Sequence, residues 1–250
     1  MITQKGDCAR IAFFGGSFDP PHQGHLAVAR AARAALSLNI VLFAPVGAQP
    51  LKPLGSTASF EDRLAMTKLA IQDEPGFEIS LVDGPAQLSA ADGAPEKPPG
   101  FTPNYTIDTL NRLRGQLPAN DTLFCLMGAD SFLGLRRWRR GAEIPFAARL
   151  IVTSRPGQEL GDLASVLPAG LSIEPDTNET GTSAVEVKTF RLRSPTGATN
   201  SLYLLPGLAV DVSASEVRGQ VHAARGGLPG GHDLLPDAVL GYIAAHGLYR

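Results

Sequence analysis

The chain has 250 residues, 44% of them hydrophobic and 18% charged, with a formal net charge of -2. That apolar content is enough for a sizeable core in one large α/β domain, and the near-neutral balance argues against a bulk nucleic-acid binder, which carries a basic excess. Its two cysteines lack metal-type spacing, no apolar run approaches the roughly 18 residues a membrane helix needs, and Met1 to Lys5 has no apolar signal core; a reduced, cytoplasmic protein without a membrane partner is expected.

Ile11 to Phe14 is a short apolar run that reads as a strand buried on both faces. Gly15 and Gly16 break it, and Leu26 to Leu36, rich in alanine and arginine, reads as a helix. Asn39 to Pro45 is a second strand, stopped by proline, so strand, helix and strand from Ile11 onward make a βαβ unit and favour a parallel sheet. Gln49 to Ser59 is a loop carrying Lys52 between two prolines. Ser59 is placed to cap a helix from Phe60 to Gln72, with Asp62 in its first turn. Phe77 to Val82 alternates as a strand, and Asp83 to Pro103 reads as a surface loop. A helix from Thr106 to Leu117, a buried strand from Leu123 to Met127 and a helical stretch including Trp138 follow. Leu150 to Thr153 is a further strand, closed by Arg155-Pro156-Gly157.

Residues 158–201 read as an insertion or irregular excursion, with an edge-strand pattern from Val185 to Arg193. Ser201 to Leu205 is apolar again. A short strand and Ser213-Ala214-Ser215 lead into a helix through Val221, Gly226 to Asp233 is a glycine-rich turn, and Pro236 to His246 is the last helix. Alternating β and α elements predict an α/β fold, a Rossmann-like doubly wound parallel sheet flanked by helices, in one domain over 1–250.

The chemistry is expected on Gly15-Gly16-Ser17-Phe18-Asp19-Pro20-Pro21-His22-Gln23-Gly24-His25. His22 and His25 share a face at a helix start, where unpaired backbone N–H groups and a partial positive charge favour anions. Glycines before them allow close backbone approach, so the turn reads as a polyphosphate cradle. The alternatives are a chance histidine pair on a helix face, or a zinc site, for which the stretch offers no third His or Cys.

Gly16 through His25 resembles the signature of the nucleotidyltransferase superfamily with the His-x-Gly-His motif, and more narrowly that of the bacterial nicotinate-nucleotide adenylyltransferases. Lys52 with its prolines, Asn104 through Leu110, Met127 through Ser131, Trp138, Arg155-Pro156-Gly157, Val212 through Arg218 and the ending Gly247-Leu248-Tyr249-Arg250 agree in order. The resemblance implies adenylyl transfer from ATP to nicotinate mononucleotide, with Mg²⁺ carried by ATP rather than held in a protein metal site. It also implies in-line attack without a covalent enzyme intermediate. Other readings are an acceptor such as nicotinamide mononucleotide or phosphopantetheine, and a non-catalytic nucleotide sensor. A homo-oligomer is compatible with all of them.

By the same resemblance His22, His25, Lys52 and Arg218 are the catalytic set. Gly15, Gly16, Ser17, Phe18, Gly128, Asp130, Ser213 and Ser215 join His22, His25 and Arg218 in binding ATP. Lys52, Tyr105, Thr106 and Trp138 bind the mononucleotide, with the Thr106 N–H on the carboxylate and Trp138 stacked on the pyridine ring. Asp19 is expected to fix its turn rather than touch ligand. Some relatives have an aromatic after this tryptophan; here Arg139 follows it, inside an arginine cluster that reads as a solvated face or an attractor of anions.

Overall fold

The computed structural model describes residues 8–49, 55–85, 103–154, 163–176, 186–206, 212–223 and 233–250. Lys52, Arg155-Pro156-Gly157 and most of the expected turn after Gly226 lie outside them.

Eight strands form one sheet: β1 (Arg10–Gly16), β2 (Ile40–Pro45), β3 (Phe77–Ile79), β4 (Thr122–Gly128), β5 (Arg149–Thr153), β6 (Ser172–Pro175), β7 (Lys188–Arg193) and β8 (Thr199–Leu205). Their order is β3-β2-β1-β4-β5-β8-β7-β6. From β3 to β8 every pairing is parallel, so β8 takes the sixth place of a Rossmann-type order. The sheet is therefore mixed rather than wholly parallel, because β7 and β6 extend it in antiparallel fashion. Both strands come from the stretch expected to be irregular. β7 lies one strand inside the edge, and β6 forms the edge among the described residues.

The helices are α1 (Gln23–Ala35), α2 (Phe60–Ile71), α3 (Thr106–Gln116), α4 (Ala129–Leu133), α5 (Ile144–Ala147), α6 (Leu163–Val166), α7 (Ala214–Ala223) and α8 (Asp237–His246). Side-chain alternation along the strands divides the core into two. Ala12 and Phe14 of β1 and Phe124 and Leu126 of β4 pack with the apolar stripe Leu26, Ala29 and Ala32 of α1 and with Val217, Val239 and Ile243 of the last two helices. Phe13, Leu123, Cys125 and Met127 face the other way, onto Leu110 and Leu113 of α3 and Ile144 of α5. Central strands buried on both faces must be continuously apolar, which is why β1 and β4 were legible.

Helix ends are set by local chemistry. The Ser59 hydroxyl accepts from the Asp62 N–H at 3.0 Å and starts α2, as expected. Gly247 stops α8 in the left-handed region at φ 62°. Two expectations need correction. Trp138 is not helical: it follows the 3₁₀ turn Leu135–Arg137 in an extended conformation. No strand forms at 212–213; Ser213 instead caps α7, its hydroxyl accepting from the Glu216 N–H at 3.1 Å.

Candidate active site

A cavity of about 870 Å³ opens at the carboxyl ends of the parallel strands. It is walled by the turns after β1 and β4, neighbouring strands from which the order runs outward in both directions. This is the topological switch point, where open α/β sheets leave a crevice between diverging loops.

The turn after β1 supplies both histidines. His22 is the N-cap of α1, in an extended conformation, and its N–H donates to His25 Nδ1 at 3.1 Å. A neutral His25 that accepts at Nδ1 carries its proton on Nε2, leaving a donor for an incoming anion. The rings are 3.7 Å apart, centroid to centroid, at 31°. Burial and the adjacent His22 hold the His25 pKa well below the ordinary 6.5. Gly24 gives the imidazole its room, since a Cβ there would lie 3.0 Å from His22 Nδ1 and press it aside. The first-turn amides are less available than expected. Gln23 N–H donates to the Leu234 carbonyl at 2.9 Å and His25 N–H to the His22 carbonyl at 2.9 Å.

Phe18 anchors this turn from beneath. Its backbone is left-handed at φ 47°, a conformation that costs a non-glycine residue about 1–2 kcal/mol, and packing offsets it. The side chain is 1% exposed and meets His25 edge-on, ring centroids 5.0 Å apart.

Asp19 is a buried junction. Its carboxylate accepts from Thr57 N–H at 2.6 Å, Ala58 N–H at 3.1 Å and the Tyr249 hydroxyl at 2.8 Å. Burial, then the nearby Asp19 carboxylate, raises the Tyr249 phenol pKa, so it is a permanent donor. Arg218 donates to the Asp19 carbonyl at 2.7 Å and to Ser215 Oγ at 3.1 Å, which fixes the guanidinium at the cavity wall. Asp19 thus fixes its turn, as expected, and also holds the loop before α2 and the segment after α8 that carries Tyr249.

Gly15, Gly16, Ser17, Phe18, His22, His25, Ser213 and Arg218 all line the cavity, and Gly128 and Asp130 join them from the end of β4. Ser215 does not line it and reaches it through Arg218. Tyr105, Thr106 and Trp138 form another part of the wall. Trp138 is half-buried and packs on the core while lining the cavity. Arg139 lines the same part, its guanidinium carbon 4.7 Å from the Tyr105 ring centroid. Asp83, placed by the sequence in a surface loop, is instead buried and lines the cavity, accepting from the Thr109 hydroxyl. Cys125 lines it as well, with burial pushing its thiol up to about 12. The wall therefore combines imidazoles, guanidinium groups and an aromatic ring, a set suited to an anionic ligand with a planar base.

Residues 13–219 match the family described as cytidylyltransferase-like. The chain belongs to that family. Among its relatives is a protein of Roseiflexus sp. (strain RS-1) named probable nicotinate-nucleotide adenylyltransferase, 36% identical over 244 residues, covering 97% of this chain and 98% of the relative. One of the same name from Solibacter usitatus (strain Ellin6076) is 32% identical over 241 residues, covering 96% and 100%. Among solved structures, the Plasmodium falciparum nicotinic acid mononucleotide adenylyltransferase complexed with NaAD superposes with a TM-score of 0.63 at 16% identity, covering 96% of this chain and 97% of that one; this likeness concerns the fold.

This cytidylyltransferase-like chain uses one further residue that the sequence reading passed over. Arg63, 2% exposed, donates to the Ser17 carbonyl at 2.7 Å and the Val46 carbonyl at 2.9 Å, clamping the turns after β1 and β2. Burial lowers its pKa, opposed chiefly by Asp19. A signal was present: Arg63 shares a helical face with Phe60, Met66, Thr67 and Ala70, where a solvated arginine does not belong. Among the described residues no group of three His, Cys, Asp or Glu is placed to hold a metal, and no helix is long and apolar enough to cross a membrane.

Proposed function

We propose that the cavity catalyses adenylyl transfer from ATP to nicotinate mononucleotide, giving nicotinate adenine dinucleotide and pyrophosphate, in the cytoplasm and as a step of NAD biosynthesis. The mononucleotide phosphate attacks the α-phosphorus of ATP in line, a new P–O bond forms, and the bond to the leaving pyrophosphate breaks. The attacking phosphate is already ionised near neutral pH, so catalysis reduces to positioning two anions and stabilising charge on the leaving group.

His22 and His25 donate to the triphosphate from the start of α1, and Arg218 grips it from α7. Lys52 adds a further cation, and Ser213 and Ser215 assist Arg218. Gly15 and Gly16 let the β1 turn approach closely, Ser17 and Phe18 border the phosphates through their backbone, and Gly128 and Asp130 hold the adenosine ribose. Tyr105, Thr106 and Trp138 receive the nicotinate ring. The observation that carries this reading is that His22, His25, Arg218 and Trp138, dispersed over the sequence, line one cavity at the switch point.

The carboxylates on the wall argue for Mg²⁺ arriving with ATP. Asp19 is occupied by three donors, Asp83 by Thr109, and Asp130 is assigned here to the ribose, whereas Mg²⁺ is commonly held by substrate phosphates with few protein ligands. Bound there, Mg²⁺ would neutralise phosphate charge.

Pyrophosphate release with ATP and, separately, nicotinate mononucleotide, nicotinamide mononucleotide or phosphopantetheine tests the proposal. Turnover with nicotinate mononucleotide is expected. Turnover with phosphopantetheine alone, or ATP binding without turnover on any acceptor, would overturn it.

A further inference from the structure

Building on that reading, we infer that Arg139 is a specificity-determining residue that selects an acceptor carrying a carboxylate on its ring. Four residues meet on the acceptor part of the wall: Tyr105, Thr106, Trp138 and Arg139. Tyr105 is the N-cap of α3 and Thr106 its first residue, so the positive end of an 11-residue helix opens there. Trp138 and Arg139 are consecutive, both line the cavity, and the Arg139 guanidinium lies over the Tyr105 ring at the start of α3. A pyridine ring stacked on Trp138 would then share this stretch of wall with Arg139.

The guanidinium is held without being consumed. It rests on the Tyr105 ring, its carbon 4.7 Å from the centroid, a contact that leaves its N–H groups unspent. The neighbouring carboxylates are taken by Arg140, whose guanidinium reaches Glu143 at 2.7 Å and Asp108 at 3.7 Å. Among the described residues Arg139 forms no ion pair. A planar cation with spare donors matches a carboxylate, which accepts two parallel hydrogen bonds. A carboxamide presents an NH₂ to the same cation and gains much less. Arg139 thus adds a side-chain charge to the backbone contact offered by Thr106.

The test compares kcat/KM for nicotinate and nicotinamide mononucleotides at saturating ATP in wild type, Arg139→Gln, Arg139→Lys and Arg139→Glu. Arg139→Gln should lower the nicotinate value about tenfold, chiefly through KM, and change the nicotinamide value less than about twofold. Arg139→Lys should restore part of the preference and Arg139→Glu should abolish it. An unchanged ratio in Arg139→Gln, or equal losses on both acceptors, overturns the inference while wild-type turnover leaves the proposed reaction standing. Absence of wild-type turnover on either acceptor removes both.

Discussion

Tyr249 donates its phenolic hydrogen to an Asp19 oxygen at 2.8 Å, joining residues 230 positions apart. The bond ties the segment after α8 to the histidine-bearing turn. Tyr249→Phe leaves a buried carboxylate one donor short and should cost about 1–3 kcal/mol in urea unfolding. Asp19→Ala strips the partner from two backbone amides as well and should cost more. Equal stability of Tyr249→Phe and wild type would show the bond to be inert.

His22→Ala and His25→Ala should each lower kcat by about 10²–10³-fold, the usual effect of deleting one donor aimed at developing charge. Both should unfold cooperatively. His25→Ala should also lose about 1 kcal/mol of stability, because the His22 N–H loses its acceptor at the helix start. Circular dichroism with steady-state kinetics separates the two effects.

The lowered His25 pKa gives a pH dependence of definite sign. The folded protein resists a proton that the unfolded chain accepts near 6.5, so this stability is intact above 6.5 and is lost as pH falls through the lower folded value. Urea midpoints of wild type should drop between about pH 7.5 and about pH 5.5 by more than those of His25→Gln. A bound triphosphate would favour the imidazolium, so ATP binding at the lower pH should take up a proton, visible by calorimetry in two buffers.

Gly24→Ala separates folding from function. Alanine in place of glycine within a helix is worth about 1 kcal/mol of stability. Here the added Cβ would lie 3.0 Å from His22 Nδ1 and 3.4 Å from the Val212 carbonyl oxygen. The imidazole must move, so kcat should fall while the unfolding midpoint changes little.

Arg63→Leu should cost about 3 kcal/mol, since it removes two donors from buried carbonyls and leaves Asp19 with Arg218 as its remaining cation among the described residues. Arg63→Lys supplies one point donor where two directions are needed and should recover less than half of that loss.

Parts of this architecture could be read from residue order and parts could not. β1, β2 and β4 were legible because strands covered on both faces are continuously apolar. The α2 cap was legible because Ser59 and Asp62 act within one turn. β6 was not: Ser172 and Glu174 are exposed, and the strand exists through pairing with β7 rather than through any pattern of its own. Asp19 with Tyr249, and Gln23 with Leu234, escaped for a different reason, because no local periodicity records a bond between distant segments. Arg63 left a trace, a cation on an apolar helical face, whose meaning depended on carbonyls that only the folded chain brings near.

The antiparallel flank has an engineering consequence. β7 and β6 are separated from β1 by β4, β5 and β8, so the crevice and that border share no strand. Alterations along the outer border can be absorbed there by edge pairing alone, without displacing any group around the crevice. An affinity handle or a fluorescent reporter attached at exposed Glu174 would leave turnover intact, making that margin a convenient place from which to watch the enzyme work.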